Sequence, residues 1–158
     1  LISIERCGPN DEGRYLNMRG QDITNYNART EHLFSDSYNT IGIGDGGNEI
    51  GMGIVASDVA EAPTLVKSPC VTSTCNLIIS SVSNWGGYGL VAAMSEQRGE
   101  NLLPSVKAEE KLIKRTVDLG AVDGLSGKQE YKVDGFTLDE NSEVLYSLHQ
   151  YLEAIGIP

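Results

Sequence analysis

The stretch from residue 40 to residue 53, T-I-G-I-G-D-G-G-N-E-I-G-M-G, constrains the fold more than any other part of the chain. An apolar, β-branched start runs into a turn holding two carboxylates, Asp45 and Glu49, the amide Asn48, and six glycines in all. So many positions without a side chain are unfavourable unless the backbone needs unusual dihedrals or must be approached closely. The pattern predicts a buried strand that delivers backbone and acids together to one edge of a sheet, so this turn is the first candidate for a site.

Around that strand the hydrophobic period alternates. Residues 1–5 and 76–80 are apolar enough for strands, and residues 66–71 read as a strand or an extended connection. Residues 14–27 form a long polar loop, after which Thr30 caps a short helix carrying Leu33, Phe34 and Tyr38. Further helices are expected from Asn48 to Ala60, stopped by Pro63, and from Ser83 or Asn84 through Met94. A better one starts after Ser105, with Val106, Leu112, Ile113 and Val117 on one stripe and Gly120 as its stop. Residues 130–133 suit a short strand, and Asp139 or Asn141 would cap a last helix carrying Val144, Leu145, Leu148, Leu152 and Ile155. Strands alternating with helices predict the α/β class: a three-layer α/β/α sandwich with a mostly parallel, Rossmann-like sheet.

A chain of 158 residues suits one domain, 1–158, able to bury a core. It opens on the apolar run Leu1-Ile2-Ser3-Ile4 without an initiator Met, and is expected to be the later part of a domain in a longer protein. The formal net charge of -10 excludes nucleic acid and anionic membrane as partners, since both require clustered Lys and Arg. No apolar run approaches the roughly twenty residues of a membrane span. Cys7, Cys70 and Cys75 form no CxxC pair and His32 and His149 lie far apart, which argues against a zinc site and for buried or idle thiols.

Three chemistries compete for the glycine turn. Gly42, Gly44 and Gly47 match GxGxxG between a strand and an expected helix, but Asp45 would put a carboxylate beside a pyrophosphate, which disfavours a dinucleotide. Asp45 and Glu49, four residues apart, supply hard oxygen ligands suited to a divalent metal such as Mg²⁺. Alternatively both acids only cap the following helix and complement its positive end. The segment G-D-G-G-N-E is similar to the G-D-G-x-N-D motif of haloacid-dehalogenase-type phosphatases, which implies a Mg-dependent hydrolase as one alternative. The nucleophilic D-x-D motif and phosphate-binding Lys of that family are not recognisable here.

Other residues suit the same edge. Arg6, at the end of the first strand, and Arg19, in the following loop, carry the group that clamps a carboxylate in two-point fashion. Asn84 and Trp85, in S-N-W-G-G-Y-G, begin a helix after a strand and would add anion-friendly amides and a pocket wall. Asp123, in A-V-D-G, places another acid at a turn.

Taken together, E-R-C-G-P, N-M-R-G-Q-D-I, I-G-I-G-D-G-G-N-E-I-G-M-G, S-N-W-G-G-Y-G-L and G-A-V-D-G-L-S-G resemble the carboxyl-terminal domain of the D-glutamate cyclase family. The resemblance implies a lyase that converts D-glutamate to 5-oxo-D-proline and water, mitochondrial in animals, with a separate amino-terminal domain of the same protein as partner. In that reading Asp45, Glu49 and Asp123 are the catalytic candidates, and Arg6, Arg19, Asn48, Asn84 and Trp85 the substrate-binding ones. Asp45 and Glu49 are also the candidate ligands if a Mg²⁺ or other divalent cation takes part. A non-catalytic ligand-binding or assembly domain is a third reading.

Overall fold

The computed structural model describes residues 1–35 and 37–158. The protein is α/β, with a three-stranded parallel sheet and helices in the connections, consistent with the Rossmann-like sandwich expected from the sequence. It divides into two compact units, Leu1–Gly86 and Gly87–Pro158.

In the first unit, β1 (Ile2–Ile4), β2 (Ile41–Gly44) and β3 (Asn76–Ile79) lie in that order. The parallel register sets Ile4 beside Ile43 and Ile43 beside Ile78, so the carboxyl ends of all three strands meet at one edge. The central strand is the buried one, with Ile43 fully enclosed, because its neighbours cover its backbone on both sides. The short helix α1 (His32–Ser35) forms where a cap and apolar residues predict it, though Tyr38 lies outside it and is exposed.

The helix expected to start at Asn48 does not. Residues 49–52 instead form a turn, Met52 N donating to Glu49 O at 3.1 Å, with isolated bridges from Glu49 to Cys7 and from Gly51 and Met52 to Ser73. A 3₁₀ turn, Gly53–Val55, and then α2 (Ala56–Glu61) follow only afterwards. The glycines explain the delay. A Cβ on Gly42 would lie 2.5 Å from the Ile50 carbonyl oxygen and 2.7 Å from the Gly51 Cα, while Gly51 itself takes φ +109°. The segment after the turn therefore folds back flat onto β2, backbone against backbone, at a distance that only glycine permits. Residues 66–71 form no strand. Their polar backbone is bound singly, Cys70 N to Gly47 O at 2.9 Å and Val71 N to Pro9 O at 2.9 Å, with Val66 and Cys70 buried.

The long loop after β1 is ordered by a buried pair. The Tyr15 hydroxyl donates to Glu31 Oε2 at 2.5 Å, and burial together with that carboxylate pushes the phenol up to about 12. The helix α3 (Ser83–Arg98) begins in the first unit and continues into the second.

The second unit holds α4 (Val106–Asp118), a two-stranded antiparallel ribbon of β4 (Lys132–Val133) and β5 (Phe136–Thr137), and α5 (Leu138–Ala154). Ser105 caps α4 as its sequence predicts, its hydroxyl accepting from Ala108 N, and Gly120 ends the helix at φ +106°. Ile113 and Val117 are buried, but Leu112 faces outward. The cap of α5 is Thr137, not Asp139 or Asn141. Thr137 and Glu140 form a reciprocal capping box, and the buried Asn141 instead donates its amide to the Thr137 and Phe136 carbonyls. Cys7, Cys70 and Cys75 are free thiols, the first two buried and Cys75 exposed.

Asp123 organises the loop before the ribbon, accepting from Ser126 N and Gly135 N at 2.7 Å each. Burial alone would raise its pKa, but those two amides and Lys132 outweigh it and hold the carboxyl below its ordinary value.

Two outcomes follow for stability. Gly42→Ala should cost about 2–3 kcal/mol, lowering Tm by roughly 5–10 °C in a thermal melt, because the new methyl meets backbone that cannot move aside. Asp123→Asn should cost about 1–3 kcal/mol at neutral pH. Since the folded pKa lies below the unfolded one, this contribution is complete above the ordinary carboxylate range and disappears as pH falls through the depressed value. The Tm gap between wild type and variant should therefore narrow below about pH 4.

Candidate functional site

Because β1 and β2 are parallel and in register, the residues just past their ends are neighbours, and Glu5 comes to lie beside Asp45. One carboxylate oxygen from each of Glu5, Asp45 and Glu49 falls within 4.8 Å of the others. Glu49 is buried, Asp45 half-buried and Glu5 exposed, so the cluster grades from the core to the surface.

Each acid is held differently. Glu49 reaches back into its own turn: Oε1 accepts from Gly46 N at 2.9 Å and Oε2 from Gly47 N at 2.8 Å. Its carboxylate occupies the amides that a phosphate would take in a dinucleotide loop, and no helix starts there, so the GxGxxG match has no phosphate cradle behind it. Asp45 Oδ2 accepts from Ser83 N at 3.1 Å, the first residue of α3, and the Ser83 hydroxyl donates to Glu5 Oε2. Two of the three acids thus rest on the positive end of a sixteen-residue helix, which offsets their mutual repulsion. Ser83 is completely buried and acts as the hinge pin between the sheet edge and the helix.

Glu5 is the site residue that the sequence did not single out. It sits in the left-handed region at φ +53°, a conformation costing about 1–3 kcal/mol for a residue with a Cβ and often retained where a side chain must be aimed. The available signal was an acid immediately past a strand expected to neighbour the Asp45 strand.

Of the other candidates, Asn48 belongs to the same turn. Its Nδ2 donates to Leu16 O at 3.0 Å, while its buried Oδ1 has no hydrogen-bond partner and lies 3.1 Å from where a Gly46 Cβ would stand. Asn84 is exposed and Trp85 half-buried, in the first turn of α3 next to Ser83. Arg6 turns to the loop, its Nε donating to Thr30 Oγ1 at 3.2 Å and an NH2 nitrogen to Ala28 O at 2.8 Å. Arg19 lies on a turn shaped by Asn17, whose Oδ1 accepts from Arg19 N and Gln21 N at 3.0 Å each, and it lines a cavity. Asp123 is in the second unit, in the loop it organises there.

The acidic cluster lies at the carboxyl edge of the parallel sheet of an α/β domain, the edge at which open-sheet proteins gather their ligands. The family described as "D-glutamate cyclase-like, C-terminal" matches residues 1–149, and the chain belongs to it. A relative, the human protein named "D-glutamate cyclase, mitochondrial", is 29% identical over 167 residues, an alignment covering 85% of this chain. The chain spans 27% of that relative's length. Among the described residues no helix is long and apolar enough to cross a membrane.

The role of Glu49 as a brace of the turn has a direct check. Glu49→Gln keeps the shape but sets an NH2 against one of the two amides, and should cost about 2–4 kcal/mol in chemical denaturation.

Proposed function

We propose that this chain supplies the site of a D-glutamate cyclase, which joins the α-amine of D-glutamate to its side-chain carboxyl carbon and releases water. The convergence of Glu5, Asp45 and Glu49 at the sheet edge, in a member of this family, is the observation that carries the reading. The reaction makes one C–N bond and breaks one C–O bond. Two protons must leave the substrate ammonium, and the departing oxygen must leave as water, so the site needs groups that accept and return protons beside the reacting nitrogen.

Asp45 and Glu5 suit that task. Both lie nearer the surface than Glu49, and each is oriented through Ser83. Carboxylates there attract the substrate ammonium, take one proton to free the amine lone pair for attack and a second as the C–N bond forms, and pass both to the leaving oxygen, which departs as water. Glu49 keeps the turn in shape beneath them. Asn84 and Trp85, beside Ser83, are within the part of α3 that borders the cluster and suit contact with the substrate. The human relative's name extends the proposal to a mitochondrial setting, with the remainder of a longer protein as partner.

The three acids also fit a divalent cation. All are hard oxygen donors, and an oxygen that accepts an amide keeps a lone pair for a metal. Glu5, Asp45 and Glu49 would hold Mg²⁺ or a similar ion, which would supply Lewis-acid polarisation of the reacting carboxyl.

In the full-length protein, Asp45→Asn and Glu5→Gln should each lower kcat/KM for 5-oxo-D-proline formation by about 10²-fold or more while the fold melts cooperatively. Unchanged turnover in both variants would remove the cluster from the chemistry. Calorimetric titration of Mg²⁺ and Mn²⁺ into chelator-treated protein should give binding that Asp45→Asn weakens; absence of binding in the wild type would exclude the metal.

A further inference from the structure

The turn that carries Asp45 and Glu49 holds one polar atom that the fold leaves unused. Asn48 is 9% exposed, and its Oδ1 is buried with no hydrogen-bond partner among the described residues. The other end of the amide sets its orientation. Nδ2 donates at 3.0 Å to Leu16 O, a carbonyl that also accepts from the Cys7 thiol at 3.2 Å, so the Asn48 oxygen points away from it. An unpaired buried acceptor is costly, and folded proteins rarely keep one that a ligand, ion or water does not complete.

That oxygen faces a small place beside Gly46. A Cβ on this glycine would stand 3.1 Å from Asn48 Oδ1, 3.2 Å from Glu49 Oε1 and 3.3 Å from Met18 Cγ. Gly46 does not take the left-handed φ that Gly47 takes at +96°, so the backbone does not require a glycine here; what the missing side chain provides is room. An amide carbonyl and a carboxylate of the acidic cluster converge on that room, and Met18 covers it. Met18 is 55% exposed, with an unbranched, flexible side chain that turns outward at little cost.

We propose that this place takes the α-ammonium of the substrate, with Asn48 Oδ1 accepting one of its N–H groups; this rests on the cyclase reading above. Both oxygens are acceptors, so they suit a donor that carries positive charge. D-Glutamate has one such group. Its two carboxylates only accept, and would meet nothing but acceptors here. Of the three ammonium N–H bonds, one goes to the Asn48 carbonyl and the others face the acids. After the acids have taken one proton the amine still has an N–H for Asn48, which holds the nitrogen while its lone pair turns to the side-chain carboxyl carbon. Asn48 is in this view a binding residue that selects an amine without changing its own protonation.

The test uses the full-length protein and two ligands that differ only in the amine: D-glutamate, and glutarate, which keeps both carboxylates and lacks the ammonium. The wild type should bind D-glutamate about tenfold or more tightly than glutarate. Asn48→Leu should lower kcat/KM for D-glutamate by about tenfold or more and leave the inhibition constant of glutarate within about twofold. Asn48→Asp, which loses the bond to Leu16 as Asn48→Leu does but keeps an oxygen at the same place, should recover most of that loss. Calorimetric titration with Mn²⁺ should give the same result for wild type and Asn48→Leu. An Asn48→Leu protein that melts like wild type and keeps its kcat/KM overturns the proposal, as does an equal loss for glutarate, or an Asn48→Asp protein that melts like wild type without recovering. Weaker Mn²⁺ binding in Asn48→Leu assigns Asn48 to a metal and overturns it too. A wild type that binds glutarate as tightly as D-glutamate overturns it whatever the variants do. If the wild type does not cyclise D-glutamate, the cyclase reading falls by itself. The amine place then stands on a calorimetric preference of the wild type for D-glutamate over glutarate that Asn48→Leu abolishes, and falls if there is no such preference.

Discussion

The Glu49 carboxylate, closed over the amides of Gly46 and Gly47, is the interaction on which the first unit depends. A buried acid in that position satisfies two backbone donors that a tight turn would otherwise leave unpaired, and the turn satisfies a charge that burial would otherwise penalise. The chain after β2 is then free to double back along the strand instead of entering a helix. It meets the loop after β1 through Gly8 N to Asn48 O and Ile50 N to Arg6 O. Sheet edge, turn and loop are thereby locked by backbone bonds around one side chain.

From that lock the acidic cluster follows with little further construction. Parallel pairing brings Glu5 next to the turn, and the buried Ser83 ties both Glu5 and Asp45 to the start of α3. Three carboxylates in so small a space would repel one another in isolation. Here five oriented groups, the Gly46, Gly47 and Ser83 amides, the Ser83 hydroxyl and the helix end, oppose that repulsion. The same geometry suits chemistry in which protons move between an amine and a carboxyl.

Some of this was legible residue by residue. Ser105 and Gly120 bound a helix because a hydroxyl cap and a left-handed glycine act locally. Thr137 with Glu140 was equally legible as a T-x-x-E box, and the start expected at Asp139 or Asn141 lies a few residues late because those side chains also resemble caps. Gly51 and Gly53 were a warning against the helix expected from Asn48. Their meaning lay in partners distant in sequence, Gly42 for the one and the Val71 carbonyl for the other. Glu5 could not be singled out locally, since an acid after a strand is ordinary until its neighbouring strand is known.

The sequence by itself determined the class of fold, the strand that ends in the glycine turn, and the family, because period, caps and motifs are properties of consecutive residues. Only the tertiary structure decided what the turn does. Whether Asp45 and Glu49 cap a helix, cradle a phosphate or join a third acid depends on which backbone amides they reach. That in turn depends on the register of β1 against β2 and on the entry of α3 at Ser83, contacts between residues up to 78 positions apart that no local pattern encodes.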